Sequence, residues 1–80
     1  MPEVLRSGPF RLFFYSNEGD PREPVHVHVR DGRAIAKVWL YPDVRVADSR
    51  GFDARALRQI CDIVRDNRQL IEGAWHDHFR

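Results

Sequence analysis

The sequence predicts an α+β domain: a small antiparallel sheet of three to four strands, one face covered by a C-terminal helical segment, in the order βββ(β)αα. Three observations predict it. "VHVHVR", residues 25–30, alternates strictly between apolar and polar side chains, the period of a strand. Asp31-Gly32 follows at once and is a strong signal for a tight hairpin turn. Beyond Asp53, residues Leu57, Ile60, Cys61, Val64, Ile71, Ala74, Trp75 and Phe79 recur at spacings of three and four, the period of a helix.

Each element follows from local chemistry. "PFRLFFYS", residues 9–16, is short and aromatic-rich and reads as the first strand. "SNEGDPREP", residues 16–24, concentrates Gly, Pro, Asn and Asp and reads as an exposed loop. "VHVHVR" is the second strand, and "AIAKVWLY" is the third, closed by Pro42. A two-residue turn at Asp31-Gly32 sets Arg30 opposite Arg33, His28 opposite Ile35 and His26 opposite Lys37. One face then carries Val25, Val27, Val29, Ala34, Ala36, Val38 and Leu40. The other carries His26, His28, Arg30, Arg33, Ile35, Lys37, Trp39 and Tyr41. A slip of one residue would mix these sets and push charge into the core. Phe10, Leu12 and Phe14 extend the aliphatic face, whereas Arg11, Phe13 and Tyr15 extend the other.

"VRVADSRGF", residues 44–52, reads as a short edge strand or an irregular crossing. Asp53 is a good N-cap, with Phe52 and Leu57 at hydrophobic-staple positions. A straight helix from there to the end would run about 40 Å. That is long for so small a domain, so a bend or break is expected near Asn67, giving one bent helix or two helices over the aliphatic face.

The 80 residues are expected to form a single domain, 1–80. A chain of this size buries only roughly 60% of its unfolded surface. Dimerisation or docking on a partner is therefore an expected source of stability. The net charge of +1, from 13 basic and 12 acidic residues, excludes a global polyelectrolyte. Twelve of the basic residues are Arg and only Lys37 is a lysine, which fits a GC-rich coding bias as well as flat, bidentate anion contacts. The single Cys61 excludes an internal disulfide and a cysteine-based zinc finger, and its apolar neighbours make it a buried structural thiol. No secretory signal and no apolar run of spanning length is present, so the expectation is a soluble cytoplasmic protein without a membrane partner.

The chemistry candidates cluster on the polar face. His26 and His28 point to one side, about 6–7 Å apart along the strand. His-x-His can converge on a metal, with Asp20, Glu23, His76 or His78 as possible third ligands, but no spacing assigns one. His76 and His78 themselves lie about 200° apart on a helix and cannot chelate one ion together. The preferred reading has neither metal nor cofactor: two histidines able to move protons near neutral pH, beside Arg30, Arg33 and Lys37 to hold a phosphate, the inventory of a metal-independent ribonuclease. The bland reading leaves both histidines on the wet side of a hairpin. Trp39 and Tyr41 on the same face weigh against it, because exposed aromatics are expected to stack on bases, a protein or the C-terminal segment. "SRGF", residues 49–52, offers either a phosphate seat at a helix start or a plain turn and cap.

The combination of "FRLFFYSNEGDPREPVHVHVR", "AKVWL", "SRGF" and "NRQLIEGAWHDHF" resembles a bacterial family designated domain of unknown function 4160, over about Pro2 to Phe79. One departure is Val25, where members commonly carry a second proline. Members are small and often encoded beside another small protein, in the manner of toxin–antitoxin pairs. The resemblance therefore implies a small cognate protein partner encoded nearby and a toxin-like role directed at RNA; it names no catalytic residue. A looser likeness in layout, a histidine on a sheet strand beside helices, links the chain to small messenger-RNA-cleaving toxins, and layout alone is weak evidence for function. The expected function is thus a toxin–antitoxin-type component that binds or cleaves RNA, with His26 and His28 as the acid–base pair and Arg30, Arg33, Lys37, Trp39 and Tyr41 as the binding set. A non-enzymatic protein-interaction module using the same face is the alternative, and metal binding through His26 and His28 is the minor one.

Overall fold

Alternation and tight turns assemble a five-stranded antiparallel meander, one or two strands more than the sequence predicts. A computed structural model describes residues 3–15 and 23–79, so most of the expected loop at residues 16–24 lies outside the described residues. The elements are β1 (Glu3–Ser7), β2 (Phe10–Phe13), β3 (His26–Asp31), β4 (Ala34–Trp39), β5 (Arg45–Arg50), α1 (Ala54–Asp66) and α2 (Arg68–His78). The sheet order follows the chain, β1-β2-β3-β4-β5. β5 resolves "VRVADSRGF" as an edge strand. β1 has no alternation of its own to announce it; it exists because the Gly8-Pro9 turn folds it back on β2, with Ser7 paired to Phe10.

The β3–β4 turn corrects the expected register. Asp31 pairs with Ala34, Arg30 with Ile35, His28 with Lys37 and His26 with Trp39. The loop residues are therefore Gly32 and Arg33, not Asp31 and Gly32. A type I′ turn at Asp31-Gly32 would need positive φ at both residues, whereas here only Gly32 is positive, at 58°. Gly8 in the β1–β2 turn is likewise at 56°, and both turns place glycine first, as type II′ turns do. Because the partner shifts by two residues, the side-chain facing survives the correction.

The inner face carries Phe10, Leu12, Phe14, Val27, Val29, Ala36, Val38 and Leu40, which with Val44 meet Ile60 and Val64 of α1 and Ile71 and Trp75 of α2. Burial of each of the larger side chains contributes about 1.5–3 kcal/mol. The Asp53 carboxylate accepts from the Ala56 N–H at 2.8 Å and caps α1. It fills the helix start that "SRGF" offered as a phosphate seat. The predicted break falls at Asn67, whose side-chain amide and backbone N–H both donate to the Ile63 carbonyl, at 2.8 and 3.1 Å. The result is two helices, in a molecule whose Cα extents are 34 × 24 × 20 Å, too short for the ~40 Å rod of an unbroken helix. Among the described residues, no helix is long and apolar enough to cross a membrane.

Two glycines should respond in opposite directions. Gly32→Ala forces a left-handed residue and should cost about 1–2 kcal/mol. Gly73→Ala in α2, where an added Cβ meets nothing within 4 Å, should stabilise by about 0.5–1 kcal/mol. Urea midpoints of the two variants, compared with the parent, measure both.

Candidate nucleic-acid interface

The face turned away from the helices is built by cross-strand register. One row across the sheet runs Arg6, Arg11, Arg30, Ile35 and Arg50, one residue from each strand. The next row runs Phe13, His28, Lys37 and Asp48. A third holds His26, Trp39 and Arg45. Directly paired residues share a face, so four arginines line up on one side. Each edge strand carries a register irregularity, between Glu3 and Leu5 in β1 and opposite Lys37/Val38 in β5. Such bulges re-aim side chains. In β1 the bulge turns Glu3 to the same side as Arg6, and the Glu3 carboxylate accepts from Arg6 at 3.3 Å and from Arg11 at 3.2 Å. Those contacts, Arg6 first, hold the Glu3 carboxyl below its ordinary pKa. Among the described residues, Arg30, Arg33 and Arg50 form no ion pair.

The two histidines are not on the wet side of the strand. His26 is fully buried and His28 is only 7% exposed. Trp39, one of the two aromatics expected to stack, encloses them instead, together with Phe13, Tyr15 and Trp75. His28 forms a three-ring cluster with Phe13, stacked at 5.7 Å, and Tyr15 at 4.5 Å, which are themselves 5.3 Å apart. His26 meets Trp39 at 5.5 Å and Trp75, from α2, at 5.0 Å, and the two imidazoles are 5.2 Å apart. Phe13 is itself 4% exposed, yet belongs to this outer cluster rather than to the main core. The Nδ1 of His26 lies 2.9 Å from the Pro24 carbonyl. A carbonyl only accepts, so that nitrogen carries the proton.

The remaining predicted site residues divide. Lys37 donates to Glu23 at 2.7 Å and lies 4.5 Å over the Trp39 ring. Arg30 sits 5.8 Å over Phe13. Arg33 is exposed in the turn, beyond both ends of the paired strands. Tyr41 does not join the face: β4 ends at Trp39, and the Tyr41 hydroxyl donates to Glu72 of α2, beneath Arg68 at 5.3 Å. That hydrogen bond raises the Tyr41 pKa and is the first cause of a lowered Glu72 pKa. His76 reaches Glu72 at 3.5 Å. Of the proposed third metal ligands, Glu23 lies 4.0 Å from His26 Nδ1, and Asp20 is outside the described residues. Among the described residues, no group of three or more His, Cys, Asp or Glu is placed to hold a metal. Cys61 is half-buried beside Leu57, and burial raises its thiol pKa.

Sequence reasoning missed Arg6 and Arg45 because their strands lacked alternation, and it singled out Arg50 only within "SRGF", at a helix start rather than on the sheet face. Arg11 was on the correct face but was not counted as part of a row. The signal that would have found them is pairing, not composition.

The family model for a domain of unknown function (DUF4160) matches residues 10–76. The chain belongs to that family. The match begins with β2 and runs almost to the end of α2, so it includes Arg11, both histidines, Lys37, Trp39 and Arg50, and leaves Glu3 and Arg6 outside. No curated protein and no solved structure matches the chain.

In this DUF4160 domain, His26→Ala should cost roughly 3 kcal/mol, from a cavity between two tryptophans and an orphaned carbonyl. Arg33→Ala should stay within about 0.5 kcal/mol of the parent. Denaturation followed by tryptophan fluorescence tests both, and equal midpoints for the two variants would refute the packing role of His26. The Glu72 shift predicts a second effect. A carboxylate with a lowered folded pKa adds stability above its ordinary value of 4.5, lost as pH falls through the folded pKa. The stability gap between the parent and Tyr41→Phe should therefore narrow as pH drops from neutrality to below 4.5; a constant gap in a urea titration series would sink it.

Proposed function

We propose that this chain is the RNA-binding component of a two-protein module of toxin–antitoxin type, and that the outer sheet face is its RNA surface. The observation that carries the reading is the row of Arg6, Arg11, Arg30 and Arg50 in direct cross-strand register. Like charges set opposite one another destabilise a sheet, so folding alone does not favour the row. Glu3 answers Arg6 and Arg11 in part, and a phosphate backbone supplies the further counter-charge, with a geometry that guanidinium groups match. Four strand-to-strand steps of about 4.8 Å carry the row across roughly 19 Å, room for several nucleotides. Trp39, half-buried two rows away on the same face, adds aromatic surface of the kind that single-stranded RNA binding uses.

The histidine pair lies under the middle of this surface. His28, which retains a sliver of exposure, is in this reading the histidine that meets RNA, with the His26 ring edge-on beside it along the strand. Acid–base chemistry, where it occurs, then belongs to His28, with His26 as a positioning residue.

An unstructured single-stranded RNA dodecamer, followed by fluorescence anisotropy across a salt series, tests the reading. Engagement of about three phosphates gives a log–log salt slope of about −2, and Arg30→Ala should flatten it by about 0.7. Shortened RNA with the parent but not with His28→Ala would add cleavage to binding. No binding at any salt would overturn the RNA reading in favour of a protein partner, which co-expression with the neighbouring gene product and size-exclusion chromatography would reveal.

A further inference from the structure

We infer that a hollow beside the arginine row reads a single guanine base; the inference rests on the RNA reading above and names what that surface selects. The hollow has a volume of about 200 Å³ and is walled by Tyr15, His28, Ile35, Lys37, Asp48 and Arg50. Pockets for drug-sized ligands run about 300–1,000 Å³, so this one suits one base rather than a whole nucleotide cofactor.

Its chemistry narrows the base. Asp48 faces Lys37 in register, yet the Lys37 ammonium is drawn away to Glu23 at 2.7 Å and over Trp39 at 4.5 Å. Among the described residues, Asp48 makes no hydrogen bond or ion pair, so its carboxylate keeps two acceptor oxygens for a ligand. Guanine is the base whose pairing edge presents two adjacent donors, N1–H and the N2 amino group. Adenine and cytosine set one amino donor beside a ring acceptor that a carboxylate repels, and uracil sets one N–H between two carbonyls. Arg50 is two residues along the same strand and on the same face, about 7 Å away. Its guanidinium is the group that bonds guanine O6 and N7 in tandem. Asp48 and Arg50 thus both line the hollow from one strand, with Tyr15 and Ile35 offering apolar surface to the ring. A bare phosphate fits less well, since the Asp48 charge opposes it.

The test uses a uridine dodecamer and three versions carrying one central G, A or C, bound to the full chain at low salt. The G-containing strand should bind about tenfold or more tightly than the others. Asp48→Asn, on an exposed edge-strand position and checked for fold by circular dichroism, should shrink that preference to about twofold or less. Its affinity for plain oligouridine should rise slightly, because a negative charge has gone. Equal binding of all four strands by the parent would overturn the guanine site and leave the RNA surface standing. Asp48→Asn tightening every strand while keeping the G preference would assign the hollow to phosphate and overturn the inference. Binding of no strand would overturn both readings.

Discussion

His26 donates its Nδ1 proton to the Pro24 carbonyl at 2.9 Å while Trp39, Trp75 and His28 enclose its ring. That contact fixes where β3 starts and ties the outer sheet face to the helical layer. β3 is buried on both sides as a consequence: Val27 and Val29 are sealed beneath the helices, and His26 and His28 are sealed among aromatic rings. An imidazole suits this place better than a leucine because the chain must turn into the strand at Pro24, whose carbonyl needs a donor. A buried polar group is tolerated when its hydrogen bond is made.

With the centre of the sheet closed on both faces, its variable chemistry moves outward. The arginine row runs over this aromatic cluster and reaches both edge strands, where charge also guards against unwanted strand pairing. The two bulges serve the same layout. One brings Glu3 onto the face that carries Arg6 and Arg11, and the other lets Arg45 and Asp48, three residues apart, both point outward. The face is therefore not uniformly cationic. Arg6 and Arg11 are partly neutralised by Glu3, Lys37 is held by Glu23, Arg50 has the Asp48 carboxylate two residues away on its own strand, and Arg30 is left as the strongest anion seat.

The sequence by itself determined the division of each central strand into two faces, because a period of two survives even a misjudged turn: shifting the hairpin by one loop residue moved every partner by two and flipped nothing. It also determined the Asp53 cap and the break at Asn67, since these rest on side-chain-to-backbone bonds within one turn of chain. What tertiary structure alone decided was everything that depends on who lies across the sheet. β1 is a strand only because β2 accepts it; Tyr41 leaves the face where β4 ends at Trp39 and Glu72 accepts its hydroxyl; four scattered arginines form a row only in register. The histidines show the same limit. Alternation says which side they face, but whether that side is wet depends on Phe13, Tyr15, Trp39 and Trp75, drawn from two strand neighbourhoods and a helix that local periodicity cannot bring together.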